Sequence, residues 1–183
     1  MSGFNDGIVG FFLFFAHWLS PETGRAAIEI DIPKSRPADA IVCKCKLDIA
    51  WNKQLEQLID AGIPLCYKIY HYTDKSDTVD FYRSLYFNMV DYTYCYTDST
   101  DKFRKKSKPY SLIDLALRDF CHWEISIPNN ASICKVEVVI LPSKAEQLNR
   151  VVDMSRVWGH QKVFTVFNPK KGVPENKSAP AGE

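Results

Sequence analysis

The sequence predicts an α+β fold, a single domain in which two or three short helices pack on a mainly antiparallel or mixed β-sheet. Several stretches alternate apolar and polar residues, which is the pattern of a strand with one buried face. The gaps between most of these stretches have the length of hairpin loops, whereas parallel strands need long crossover connections. Apolar residues at helical spacing occur only in short segments. Together these patterns favour hairpin-linked strands with helices on one face of the sheet.

The clearest strand is the segment 41–47, where Ile41, Cys43, Cys45 and Leu47 alternate with a valine and two lysines. Aromatic and β-branched residues, separated by turns rich in Asp, Ser and Thr, indicate a meander of three more strands. These strands are predicted at 65–72, 81–90 and 91–97. Alternating segments predict the remaining strands at 123–127, 134–140 and 163–167.

The first helix is predicted from an apolar stripe at i, i+4, i+7 and i+8, formed by Trp51, Leu55, Leu58 and Ile59. Gly62 follows this stripe, and glycine accepts the left-handed backbone conformation in which many helices end. The helix is therefore expected to be short and to end just before Gly62.

Two further helices are predicted from capping patterns. Ser111 provides a side chain that can cap a helix N-terminus, and an apolar face follows it. The residues of that face are Leu112, Leu115, Ala116 and Phe120. Ser143 and Glu146 have the spacing of a capping box, in which each side chain accepts a hydrogen bond from a free backbone N–H of the first turn. A third helix is therefore expected over 143–152.

The length of 183 residues suits one domain with a single core. Hydrophobic residues at 46% and charged residues at 25% are ordinary values for a globular protein, so the segment 28–167 is expected to fold. Lys and Arg number 23 and Asp and Glu number 22, which gives a formal net charge of +1. Because this charge creates no overall field, a partner recognised by charge must contact a local patch.

The two ends are predicted to lie outside this fold. Residues 8–19 are mostly apolar, fit the hydrophobic region of a signal peptide and are too few to span a bilayer as a helix. The segment 1–26 is therefore interpreted as a signal peptide or an uncleaved N-terminal apolar anchor, with a buried first segment as a third alternative. Either of the first two predicts an exported protein of the periplasm or cell envelope. Residues 168–183 lack periodic apolar residues and are expected to be a disordered tail.

No pattern in the sequence assembles a metal, cofactor or catalytic site. The six cysteines include no C-x-x-C pair, and the four histidines have no H-x-x-x-H spacing. We therefore expect no metal, no cofactor and no enzymatic activity. The alternative is a hydrolase whose nucleophile and base meet only in the folded chain. In an oxidising compartment the cysteines would permit one or two disulfides, and the spacing does not choose among the pairings.

Aromatic and basic residues provide the candidate binding surface. Tyr92, Tyr94 and Tyr96 would share one face of the strand at 91–97, where they either stack on a partner or stabilise the sheet through cross-strand pairs. A basic run follows, and its candidate contacts to anionic groups are Arg104, Lys105 and Lys106. We expect an envelope protein or a membrane-surface component as the partner, and no nucleic acid. A carrier or sensor that holds a small apolar ligand between sheet and helices is the alternative.

A series of short motifs resembles a bacterial family of exported domains of unknown function. The motifs, in order, are Leu47-Asp48 with Trp51, LIDAGIPL at 58–65, RSLYF at 83–87, a tyrosine-rich strand at 92–96, SLIDLAL at 111–117, ILP at 140–142 and a tryptophan-containing segment at 157–167. The resemblance covers the segment 41–167 and rests on the order of the motifs. It implies an exported or envelope-associated α+β domain, and it implies no reaction, cofactor or catalytic residue.

Overall fold

The structure, a computed structural model, describes residues 26–33, 40–49, 51, 53–76, 79–100, 103–145, 150–154, 162–171 and 174–175. Within these ranges the chain is mostly antiparallel β-sheet with two α-helices. The prediction of a β-rich chain with short helices is confirmed at this level. The predicted apolar segment at 8–19 lies outside the described residues.

The elements are numbered in chain order. The helices are α1 (Lys53–Asp60) and α2 (Ile113–Phe120). The strands are β1 (Ala27–Asp31), β2 (Ala40–Asp48), β3 (Leu65–Thr73), β4 (Val79–Asn88), β5 (Thr93–Ser99), β6 (Arg104–Lys106), β7 (His122–Pro128), β8 (Cys134–Leu141), β9 (Ser143–Ala145), β10 (Arg150–Val152), β11 (Lys162–Phe167) and β12 (Pro174–Glu175).

The described strands form one large sheet, one small sheet and a hairpin. The large sheet has seven strands in the order β12-β11-β8-β3-β4-β5-β6, and the small sheet has the order β1-β2-β7. Strands β9 and β10 pair only with each other. All of these pairs are antiparallel, so the sheets of the described chain are antiparallel and not mixed.

One hydrophobic core joins the two larger sheets and both helices. Each sheet contributes alternate residues, as the pleat of a strand requires. The small sheet contributes Ile28, Ile41, Cys43, Cys45, Leu47, Trp123, Ile125 and Ile127, and the large sheet contributes Leu65, Tyr67, Ile69, Leu85, Val136, Val138 and Ile140. We call the core side of the large sheet its inner face and the opposite side its outer face.

Helix α1 ends as the sequence predicts. Leu55, Leu58 and Ile59 are buried in the core, which confirms most of the predicted stripe. Gly62 has a φ of 83°, and its N–H donates to the carbonyl of Ile59. The N–H of Ile63 donates to the carbonyl of Leu58, so the two bonds together form a Schellman motif. This motif turns the chain directly into β3.

Helix α2 differs from the prediction in its start and in its buried face. Leu112, and not Ser111, is the N-cap residue, and no side chain caps this end. The buried face consists of Ile113, Ala116, Leu117 and Phe120. Leu112 and Leu115, both predicted to be buried, are exposed because Ile113 and Leu117 point to the core in their place.

The predicted third helix is wrong, because residues 143–145 and 150–152 form the antiparallel hairpin β9–β10. The Ser143 hydroxyl donates to the carbonyl of Pro64 and so does not cap a helix. This contact ties the end of β8 to the start of β3 through the tertiary fold, which the local capping pattern does not encode.

Three strands have no counterpart in the prediction: β1, β6 and β12. Strand β1 completes the small sheet beside β2, and β6 is the edge strand beside β5. Strand β12 lies within the segment predicted to be disordered and pairs with Val166 and Phe167 of β11. Among the described residues, no helix has the length and apolar character needed to cross a membrane.

Candidate functional site

The three tyrosines predicted to share one strand face do not form a single row. Strand β5 begins at Thr93, so Tyr92 lies in the turn between β4 and β5 with a φ of 52°. In this turn the Asn88 amide donates to the Asp91 carboxylate at 2.8 Å, which closes the hairpin before Tyr92. Tyr94 and Tyr96 are half-buried and pack against the core from the inner face.

The hydroxyls and rings on the inner face hold the helices in place. Tyr94 donates to Asp60 at the end of α1 at 2.6 Å, and Tyr110 donates to Asp119 of α2 at 2.7 Å. Burial, followed by the hydrogen bond to Asp60, raises the pKa of the Tyr94 hydroxyl. The ring of Tyr96 stacks on that of Tyr110 with centroids 6.3 Å apart. Since these side chains are engaged within the fold, their role is structural.

Arg83 forms a second structural network on the inner face. Its Nε and Nη2 donate to the two carboxylate oxygens of Asp98 at 2.6 and 2.8 Å. Its Nη1 donates to the carbonyls of Phe120 and His122, each at 2.6 Å. The Tyr67 hydroxyl also donates to the carbonyl of Phe120. Because the guanidinium is buried and held by these acceptors, it fixes the junction of α2 and β7 to the large sheet.

The outer face of the large sheet brings together aromatic and basic side chains from five strands. Strand register places them on one side, because Lys68 pairs with Tyr82 and Tyr72 pairs with Lys135. We call this surface the tyrosine–lysine face. Its members are Lys68, Tyr70, Tyr72, Tyr82, Tyr86, Lys135 and Phe164, with Lys106 at the edge. The helices and the small sheet pack on the other side, and these side chains remain partly exposed.

Cations lie over the rings of this face at short range. The Lys68 ammonium is 4.7 Å from the ring centroids of both Tyr70 and Tyr82. The Lys135 ammonium is 5.5 Å from the ring of Tyr72 and 4.9 Å from that of Phe164. At this distance a cation is attracted by the ring quadrupole, and the ring orders the flexible lysine side chain. The face therefore presents positive charge in fixed positions.

The described side chains of the outer face carry an excess of positive charge. Glu137 provides a carboxylate at its centre, is only 8% exposed and accepts from Lys135 at 2.5 Å. Lys162 lies 4.0 Å from the same carboxylate. Lys68, Lys106 and Arg104 add further positive charge on this face, where they pair with Tyr82, Thr97 and Ser99 of the neighbouring strands.

The basic run forms strand β6, which the sequence analysis did not predict. Arg104, Lys105 and Lys106 are all exposed, and they pair with β5 at the edge of the large sheet. Register places Arg104 and Lys106 on the outer face, and the Lys106 ammonium is 5.9 Å from the Tyr86 ring. Its hydrogen bond with Tyr86 raises the pKa of Lys106, which stays charged. Basic side chains on an edge strand also oppose pairing with another sheet.

Burial disfavours the ionised form of several cysteines. All six are free thiols in the structure. Burial raises the pKa of Cys43 to about 11 and those of Cys121 and Cys134 to about 12, so these thiols stay protonated near neutral pH. In the part of the chain that the structure describes, no three Cys, His, Asp or Glu side chains are grouped as metal ligands.

Most of the tyrosine–lysine face was missed by the sequence analysis, although a signal for it is present. Lys68, Tyr70 and Tyr72 follow each other at every second position, and so do Tyr82 and Tyr86 with Ser84 between them. Such spacing predicts a common face of a strand. It does not say whether that face meets the core or solvent, since both faces of β3 are rich in large side chains.

Comparison with known proteins finds no matching family model, no matching curated protein and no matching solved structure. The resemblance to exported domains of unknown function therefore stays a prediction from the motifs alone.

Proposed function

We propose that this protein is a single α+β domain that acts as a non-enzymatic binding module, and that an acidic segment of a partner protein binds on its tyrosine–lysine face. The observation that carries the proposal is the pair of contacts made by Lys68 with Tyr70 and Tyr82, which hold a cation and two rings together on a partly exposed sheet surface. The apolar segment at 8–19 supports export, and we therefore expect the partner in the cell envelope.

Rings and ordered cations recognise an acidic segment by different interactions. The ammonium groups attract carboxylates, and they lose little mobility on binding because the rings already hold them. The tyrosine rings offer apolar surface for the partner's aliphatic side chains, and their hydroxyls offer hydrogen bonds. Since exposed ion pairs are weak individually, we expect an affinity that depends on several contacts and falls with added salt.

A calorimetric titration with a short all-glutamate peptide tests this proposal. The protein should bind the peptide, and Tyr82→Ser combined with Lys68→Gln should weaken binding by about tenfold, because one cation–ring cluster is worth roughly 1–2 kcal/mol. The matched control is Val42→Ser combined with Lys44→Gln, which removes an apolar side chain and a cation from the exposed side of β2. This control should bind as the unmodified protein does.

Two results would contradict the proposal. The first is no measurable binding of the glutamate peptide at low salt by a protein whose circular dichroism shows it to be folded. The second is equal weakening by the β3–β4 variant and the β2 control, since that would mean that net charge alone decides the affinity.

A further inference from the structure

A separate surface lies where the β4–β5 hairpin turns. Val90 and Tyr92 in the turn are 86% and 76% exposed, and Leu112 before α2 is 60% exposed. Tyr94 pairs with Tyr110 in antiparallel register, which places Leu112 beside the turn. We call Val90, Tyr92 and Leu112 the apolar tip. Val90 and Tyr92 lie in the β4–β5 turn, and Leu112 is the N-cap residue of α2.

The Asn88 side chain is bonded within the turn through both its oxygen and its amide nitrogen. The Asn88 side-chain oxygen accepts from the N–H of Val90 at 3.1 Å, and its amide donates to Asp91 at 2.8 Å. A polar group that already has a hydrogen-bond partner costs less to move out of water than a free one. The Asn88 amide is thereby paired, whereas the exposed Asp91 carboxylate would have to stay at the level of the headgroups, where water remains.

Exposed cations lie along the edge that leads to the apolar tip. Lys105, Lys106 and Lys108 are exposed, and the Lys106 ammonium lies 5.9 Å from the ring centroid of Tyr86 on β4. With a rise of about 3.3 Å per residue, Lys108 lies on the order of 10 Å from the turn. That separation matches the depth between the headgroups of a bilayer and the start of its acyl chains.

We propose that the apolar tip inserts into the interface of an anionic lipid bilayer while Lys106 and Lys108 contact the headgroups. A protruding aliphatic residue next to a tyrosine fits this interface, because tyrosine favours the boundary between headgroups and hydrocarbon. The neighbouring cations supply the attraction to anionic lipid. This proposal goes beyond the binding of an acidic segment and uses a different part of the molecule, although Lys106 borders both surfaces.

Vesicle sedimentation with the full chain tests the proposal. The protein should bind vesicles of phosphatidylglycerol and phosphatidylcholine in equal parts, and it should bind pure phosphatidylcholine vesicles more weakly. Val90→Ser combined with Tyr92→Ser should lower the affinity at least tenfold, and Lys108→Gln should lower it about fivefold. The matched control is Val151→Ser, which changes an exposed valine of β10. All variants keep residues 8–19, so differences between them report on the tip.

The possible outcomes are distinguishable. The Val90→Ser and Tyr92→Ser variant should melt at the same temperature as the unmodified protein and should keep its affinity for the glutamate peptide. Equal vesicle binding by this variant and by the Val151→Ser control would overturn the proposal, and so would a complete failure to bind the mixed vesicles. Loss of self-association in the tip variant, measured without lipid by sedimentation equilibrium, would identify a second copy of the chain as the occupant and would also overturn it.

Discussion

Arg83 is a charged side chain that the fold places under the large sheet, only 5% exposed. Burying an ion is costly unless it is paired and its donors are satisfied. Asp98 provides the opposite charge through both of its oxygens, and the carbonyls of Phe120 and His122 accept from Nη1. One residue therefore fixes the relative positions of β4, β5 and the α2–β7 junction.

Arg83→Lys should destabilise the fold by about 2–4 kcal/mol, because an ammonium cannot reproduce the planar fork and leaves buried acceptors without donors. Urea denaturation followed by circular dichroism measures this change. Arg118→Lys is the matched control, since Arg118 is exposed and its substitution should shift the midpoint little. A midpoint for Arg83→Lys equal to that of the control would refute the structural role of Arg83.

His71 gives the folded state a dependence on pH. It is buried on the inner face, and desolvation lowers the pKa of its imidazole from 6.5. The unfolded chain therefore binds a proton at a higher pH than the folded chain does. Stability should be unaffected by this group above pH 6.5 and should fall as the pH drops below that value.

His71→Leu should remove this contribution. The urea midpoint is measured as the pH is lowered from about 7.5 to about 5 at constant ionic strength. It should fall less steeply for the variant than for the unmodified protein. Parallel curves for the two proteins would mean that His71 does not contribute to the acid sensitivity.

At the scale of elements, the sequence predicts a helix or strand correctly where the pattern of one segment alone determines its secondary structure. Strand β2 and helix α1 follow from alternation and from an apolar stripe, since each pattern matches the period of its element. The helix predicted from the capping pattern at Ser143 does not form, because the Ser143 hydroxyl donates a hydrogen bond to the carbonyl of Pro64, which is distant in sequence. Strand β6 was missed because a run of basic residues has no alternating apolar pattern. Its strand conformation depends on pairing with β5. Such contacts join segments that are far apart in the sequence, so local patterns do not contain them.

The end of α1 allows a direct test at this scale. Gly62→Ala should destabilise the protein by about 1 kcal/mol, because a φ of 83° crowds a Cβ atom. Ala61→Gly is a useful comparison. This substitution adds backbone flexibility beside the same turn and places no side chain at a residue with left-handed backbone. It should therefore destabilise the protein less than Gly62→Ala does. A higher melting temperature for Gly62→Ala than for the unmodified protein would mean that the Schellman motif does not form.

At the scale of the whole molecule, the two faces of the large sheet have different surroundings. The inner face joins the small sheet and both helices in one core, and the outer face carries rings and cations that remain partly exposed. Of the candidate binding residues chosen from the sequence, Tyr94 and Tyr96 lie on the inner face, whereas Arg104 and Lys106 lie at the edge of the outer face. Which face of a strand meets the core depends on its neighbours in the sheet, and an isolated run of alternating large residues does not encode that.

The most direct test of the proposed binding surface is a map of where the glutamate peptide binds. Two-dimensional NMR spectra of the labelled protein, recorded during the titration, report this residue by residue. The proposal predicts that the largest shifts fall on the outer-face positions of β3, β4 and β8, around Lys68, Tyr82 and Lys135. Shifts confined to the exposed side of β2 and β7, or spread evenly over all surface lysines, would contradict it.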